Sequence, residues 1–512
     1  MRLKPTALIL ASSFALAVGC GGDASEAGGD PADTSPGADV ATDAGRDATE
    51  TDGAVDDAGV DGDPSDDGGD DGGDDAGADT GGDVAVDADV RVDDVPLIGE
   101  VLDCGRPARA GGLADGTELR RVNLDLATYP DALCNDGTPG FFYLREAATE
   151  AGRAHWVVQL QGGSGCRDAA SCFQRWCRVD TPFGMTQMSA DLSPADAIDG
   201  QGILARRADN PLGDANQVFV RYCSSDLWQG ERSDVVLTGP HPETAETTTA
   251  RVHFRGASIV DAVFETLIDE HGLADARSLI LAGASAGGAG VVTHAEGVAD
   301  RLEAVDPDID FVVLHDSHLG PALASLDYGE TPLCSEQGLC DWESHFRWEV
   351  EAGPAHLRGA RLDASCLAIH DEDAWKCADS GHVLRHHLTE PLMVRASQRD
   401  TLLSGNTIEG RWGRDGELLT PETYAATVRD EAADLARANE TAEEGAAYER
   451  APALFVPTCP KHETLSSNAD TYQVCIDVDG TEVSMLDVLM AWRQGGGPRI
   501  AISDSPDDET CP

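Results

Sequence analysis

The stretch LILAGASAGGAG, residues 279–290, decides how the chain folds. An apolar run from Leu279 meets a glycine–serine cluster, and a long segment of small and aliphatic residues follows. Within it, Gly283-Ala284-Ser285-Ala286-Gly287 fits Gly-x-Ser-x-Gly, the sequence of a sharp strand-to-helix turn that presents a nucleophilic serine. Such a turn strains the serine backbone and needs small residues two positions to either side, so that strand and helix can approach. Gly283 and Gly287 meet that need. The start of the following helix also favours the negative charge that develops during acyl transfer. The plain alternative is a tight glycine turn without chemistry; a strand directly before and a helix directly after speak against it.

Outward from this stretch, short runs apolar on both faces alternate with helical patterns. HWVVQLQGG (155–163), QVFVRYCSSD (217–226), RSLILAG (277–283), DFVVLHDSH (310–318), PLMVRAS (391–397) and ALFVPTC (453–459) are expected strands. Residues 256–272 place Val260, Val263, Phe264, Leu267 and Ile268 on one helical face, and 286–305 form a second helix rich in small residues. This argues an α/β fold with a mostly parallel central sheet flanked by helices, and with the serine turn an α/β-hydrolase-like one. The intervals 319–390 and 401–452 lack strong strands and look like helical or loop insertions.

A serine nucleophile needs a base and a group that orients the base, in the order serine, acid, histidine for this fold class. His294 follows the serine too closely to swing back onto it. His315, His318, His382, His386, His387 and His462 remain open, and Asp316 and Asp400 both fall at or just beyond strand ends.

At this point the chain resembles the pectinacetylesterase/Notum family of serine carboxylesterases. LQGGSGCRDAASC (160–172) is similar to that family's Gly-Gly loop followed by paired cysteines, and RYCSSDLWQGE (221–231) to its Tyr-Cys-Ser-Ser-Asp-x-Trp segment. The elbow itself, LMVRASQRDTLL (392–403) and LFVPTCPKHETL (454–465) complete the resemblance, which spans about 104–465. It implies Ser285 as nucleophile, His462 as general base and then acid, and Asp400 as the residue that holds the imidazole. It also implies an oxyanion hole of backbone N–H groups from Gly163, Ser164 and Ala286. Ser164 stands where the Notum branch carries a large aromatic residue. Hydrolysis by this route needs only water as second substrate, so no metal or organic cofactor is expected.

The rest of the sequence speaks to location. MRLKPTALILASSFALAVGC (1–20) has two early positive charges and an apolar stretch too short to span a membrane, which reads as an export signal. LAVGC resembles a bacterial lipobox, with Ala17 where a larger aliphatic is usual, and marks Cys20 for lipidation. Residues 21–97 are expected to be a disordered acidic linker, and 98–512 an esterase domain. Residues 21–94 hold 25 acidic residues and two arginines and no aromatic residue. A segment of that composition cannot bury enough apolar surface to offset its ordering entropy. Its irregular Asp-Gly spacing lacks the EF-hand pattern. The whole chain carries a formal −57; −23 belongs to 21–94 and +2 to Arg2 and Lys4, which leaves −36 for 95–512. A nucleic-acid partner is thereby excluded, because phosphates need a basic face.

Fourteen cysteines in an exported chain read as a disulfide framework. With Cys20 set aside the remainder is odd, so at least one thiol should be free or pair elsewhere. A zinc site fits poorly, since the reading finds neither a Cys-x-x-Cys pair nor a His-x-x-x-His run. The expected function is an extracytoplasmic, membrane-anchored carboxylesterase acting on an acetylated glycan such as pectin or another acyl ester. A long-chain fatty acyl deacylase and a non-catalytic surface binding protein are the alternatives.

Overall fold

The computed structural model describes residues 91–105, 118–179, 183–192, 196–317, 319–438, 448, 450–505 and 509–512. The expected export signal, Cys20, the linker to residue 90 and His318 lie outside the described residues.

Ten strands form one sheet: β1 (Glu118–Asn123), β2 (Phe141–Arg145), β3 (His155–Leu160), β4 (Ala197–Asp199), β5 (Asn216–Val220), β6 (Ser278–Ala284), β7 (Asp310–Asp316), β8 (Leu392–Arg395), β9 (Ala453–Val456) and β10 (Ile500–Ile502). Their order across the sheet is β4-β1-β2-β5-β3-β6-β7-β8-β9-β10. The seven strands from β5 to β10 run parallel, and β2, β1 and β4 close one edge antiparallel. The sheet is thus mostly parallel and helix-flanked, as the alternation of apolar runs demands. Every residue of β6 is buried, which is what a central parallel strand covered on both faces requires.

The helices that matter for the site are α1 (Ala169–Trp176), α2 (Gly256–Glu270), α3 (Ala286–Val305), α4 (Trp342–Glu351), α5 (Ala364–Ile369), α6 (Ser380–His386) and α7 (Thr401–Glu409). α3 follows β6 without a connecting loop, and its buried face joins the main core with that of α2. Helices α4 to α6 lie in the 319–390 insertion. The expected strands appear within a few residues of their predicted bounds. The sequence reading passed over β1, β2, β4 and β10, and over a long hairpin, Arg232–Pro240 with Thr247–Phe254, that packs on α1.

Disulfides join Cys104–Cys177, Cys134–Cys223, Cys166–Cys172, Cys334–Cys340, Cys366–Cys377 and Cys459–Cys511. Cys475 is disulfide-bonded as well, and no cysteine among the described residues is free. Disulfides persist in oxidising compartments, in keeping with export. No helix among the described residues is long and apolar enough to cross a membrane.

Candidate active site

Ser285 sits alone between β6 and α3 with φ 55° and ψ −119°, a backbone region that a side chain with a Cβ rarely enters. From Ser278 to Val292 it is the one residue that is not buried. Its side chain makes no capping hydrogen bond to α3, although serine at a helix start usually does. The hydroxyl is held out of local structure. The glycines explain how the turn closes. A Cβ on Gly283 would lie 2.1 Å from the Gly287 carbonyl oxygen, and one on Gly287 would lie 2.1 Å from that of Leu160. Both obstacles are backbone, so neither position accepts a larger residue without moving the sheet.

The Ser285 N–H donates to the Asp316 carbonyl at 3.1 Å and to Ser317 Oγ at 3.0 Å, which ties the elbow to the end of β7. Residue 316 also governs the segment that carries His462. The Asp316 carboxylate accepts from the N–H groups of Thr464 (2.7 Å) and Leu465 (3.1 Å) and from Arg395 Nη1 (3.1 Å). Arg395, wholly buried at the end of β8, donates onward to the carbonyls of His462 (2.8 Å) and Lys461 (3.0 Å). A buried ion pair with its remaining hydrogen-bonding capacity turned to backbone thus fixes the 461–465 loop against the same strand end that holds Ser285.

Asp400 caps the N-terminus of α7. One carboxylate oxygen accepts from the N–H groups of Leu402 (2.9 Å) and Leu403 (2.8 Å), and the other lies 2.8 Å from His462 Nδ1. The Asp400 side chain is 2% exposed and that of His462 is 20%, so the acid is enclosed and the imidazole reaches the surface of the site. His462 Nε2 makes no hydrogen bond among the described residues and is shielded from solvent. Burial alone would lower the His462 imidazole. Its hydrogen bond to Asp400 and the charges of Asp400, Glu463 and Asp316 outweigh that, and its pKa lies above the ordinary 6.5. Burial raises neighbouring Glu463 to about 6. The Glu463 carboxylate and the Ser285 Cβ both come within 3.3 Å of the point where a Cβ on Gly162 would sit, so this acid shares the cleft with the serine.

The loop after β3 is held from behind. Gln187 Nε2 donates to the Gly162 carbonyl (3.1 Å), Arg175 Nη1 to the Gly163 carbonyl (2.7 Å), and Arg175 Nη2 to Gln187 Oε1 (2.8 Å). In a trans peptide the N–H points opposite the C=O, so tying back these two carbonyls aims the N–H groups of Gly163 and Ser164 the other way. Gly163 has φ +143° and Ser164 φ 58°, backbone values that permit this turn. The Ala286 N–H is one of the unpaired donors at the start of α3. The RYCSSDLWQGE segment explains itself here: Trp228 Nε1 donates to the Gln161 carbonyl (3.0 Å), and the Tyr222 N–H donates to Gln161 Oε1 (3.1 Å).

The other candidates fall elsewhere. His294 is buried in α3, its Nε2 donates to the Trp228 carbonyl (2.7 Å), and burial lowers it to about 4. His315 is buried within β7. Asp316 lies against the loop backbone and Arg395, as described, and not against the His462 ring. His382, His386 and His387 gather on and just after α6, beside α3 and not at the strand ends. Sequence reasoning missed Arg175, Gln187, Arg395 and Glu463. No periodic or motif signal in the sequence marks them.

The pectinacetylesterase family model matches residues 115–317. Those residues form a pectinacetylesterase-family domain. Among its relatives, the human palmitoleoyl-protein carboxylesterase NOTUM is 34% identical over 350 residues, covering 67% of this chain and 61% of that protein. Pectin acetylesterase 5 of Arabidopsis thaliana is 29% identical over 218 residues, covering 42% of this chain and 44% of that protein. The chain spans about three fifths of the length of the first of these. The solved structure of the Wnt deacylase Notum from Drosophila superimposes with a TM-score of 0.54 at 24% identity, over 76% of this chain and 97% of that one. That likeness establishes the fold, an α/β-hydrolase-like one. The pectinacetylesterase match contains the elbow, the Gly162–Ser164 loop and Asp316, whereas Asp400 and His462 lie beyond it.

Proposed function

We propose that the chain is an exported serine carboxylesterase, with Ser285 as nucleophile, His462 as general base and then general acid, and Asp400 as the residue that orients His462. The observation that carries this is a strained, uncapped serine at the C-terminal end of a central parallel strand, where an Asp400–His462 pair with an enclosed acid and an uncommitted Nε2 is anchored through Asp316 to the same backbone. In the proposed reaction His462 Nε2 takes the hydroxyl proton as Ser285 Oγ attacks the ester carbonyl. The N–H groups of Gly163, Ser164 and Ala286 receive the oxyanion. The protonated imidazole then delivers its proton to the leaving alcohol, and water repeats the sequence on the acyl-serine.

The proposed substrate is an O-acetyl ester on a glycan, which suits an envelope protein carried on an acidic stalk. A body of −36 favours neutral glycans over polyanionic ones. A long-chain deacylase is the second reading, favoured by the greater extent of identity to NOTUM than to the plant enzyme. Hydrolysis of p-nitrophenyl esters from acetate to palmitate by wild type and Ser285→Ala tests both. The proposal predicts activity greatest on acetate and lost in the variant, on the order of 10⁴-fold or more. Activity that peaks at palmitate moves the assignment to the deacylase, and inert wild-type protein removes the enzyme.

A further inference from the structure

The insertion between β7 and β8 gathers more imidazole than its packing requires. His370 ends α5, His382 lies on α6, and His387 follows α6. One ring nitrogen from each, with Cys366 Sγ, falls within 4.8 Å of every other. The rings stand 5.0 to 5.5 Å apart between centroids and are tilted or edge-on to one another, not stacked. His382 Nε2 and His387 Nε2 are 3.3 Å apart. Two nitrogens at Zn–N bond lengths of 2.0–2.1 Å on a tetrahedral ion are separated by about 3.3 Å. The observed separation therefore already suits an ion without movement of either ring.

We propose that His370, His382 and His387 form a binding site for a divalent transition metal, zinc by preference, with three imidazole ligands. Cys366 is closed in its disulfide with Cys377, so it is not a thiolate ligand and the fourth position falls to water. Three nitrogen donors and no carboxylate select zinc or copper over magnesium and calcium, which want oxygen. His387 is buried while His370 and His382 are partly exposed, so the site has a buried anchor and an open side for entry. The Trp342 ring lies 5.3 Å from that of His382 and backs it from α4. His386, four residues after His382 on the same helix, is outside the set whose ligand atoms converge. The site lies apart from the residues of ester hydrolysis. The Ser365 N–H donates to Glu296 beside the middle of α3, roughly 16 Å of helix rise from Ser285. Bound metal would pin α5 to α6 and hold the insertion against α3, leaving ester hydrolysis to other residues.

Full-length protein with its disulfides intact, freed of metal by a chelator, would be titrated with Co²⁺ and read by visible absorption. The proposal predicts strong ligand-field bands of four-coordinate Co²⁺ saturating at one equivalent, abolished by Zn²⁺. In His370→Ala and His382→Ala, both partly exposed and so tolerant of truncation, binding should weaken about 100-fold or more, while His386→Ala binds as wild type. Zinc should raise the melting temperature of wild type and not of the two variants. Only the weak bands of oxygen-ligated, six-coordinate Co²⁺, as acidic side chains give, would overturn the site. So would undiminished four-coordinate bands in His382→Ala.

Discussion

At the scale of single residues, the pair Asp400–His462 sets how the proposed chemistry responds to pH. A general base acts when neutral, and the folded pKa of His462 is raised above 6.5. Activity, expressed as kcat/KM, should therefore climb with pH through a midpoint above 6.5 and level off beyond it. Glu463 contributes negative charge to that shift. In Glu463→Gln the imidazolium loses a stabilising neighbour, so the midpoint should move to lower pH; a pH–rate profile of the two proteins measures this, and an unmoved midpoint would free Glu463 of the role. Arg395 tests a different effect. It holds the loop carbonyls and the Asp316 carboxylate without solvent access. Arg395→Met leaves Asp316 charged and without its cation, at a cost of about 3–5 kcal/mol in unfolding free energy by denaturant titration. Nothing in a single sequence could reveal that pair, because 316 and 395 meet only through the parallel pairing of β7 and β8.

Among elements, the site is a set of strand ends brought level by the sheet. Ser285 follows β6, Asp400 and His462 follow β8 and β9, and the Gly162–Ser164 loop follows β3. This much was legible because central parallel strands are apolar on both faces, and the serine turn carries its glycines in sequence. The antiparallel edge was not. GluLeuArgArgValAsn of β1 carries charge at half its positions, since one face of an antiparallel strand can meet water. The loop's rear support was equally hidden: Gln187 and Arg175 reach it from a 3-10 turn and from α1, with no periodic signal. Gln187→Leu should release the Gly162 carbonyl and loosen the aim of the Gly163 N–H. A fall in kcat of about 10- to 100-fold with little change in KM is expected from steady-state kinetics, since donors to an oxyanion act mainly in the transition state. A variant that loses stability but keeps the wild-type kcat would contradict that account.

For the molecule as a whole, charge and disulfides were legible from composition, and the histidine cluster was not. The expectation of no metal rested on a hydrolysis that needs only water, and on a reading that found neither a Cys-x-x-Cys pair nor a His-x-x-x-His run. It passed over His382 and His386 at i and i+4, and no sequence spacing links His370 to the pair, since a disulfide and a turn bring it there. A formal −36 on residues 95–512 means self-repulsion in the folded body. Raising sodium chloride from low to physiological ionic strength should therefore raise the melting temperature, as screening shortens to about 8 Å. A melting temperature that falls over that range would show that paired surface charges outweigh the excess.

The account depends first on a reactive hydroxyl at residue 285. Incubation with a fluorophosphonate probe, digestion and mapping of the modified peptide examines that directly. Wild type should carry one adduct, on Ser285, formed far more slowly in His462→Ala and absent in Ser285→Ala. A label on any other residue, or none on folded wild-type protein, would contradict it.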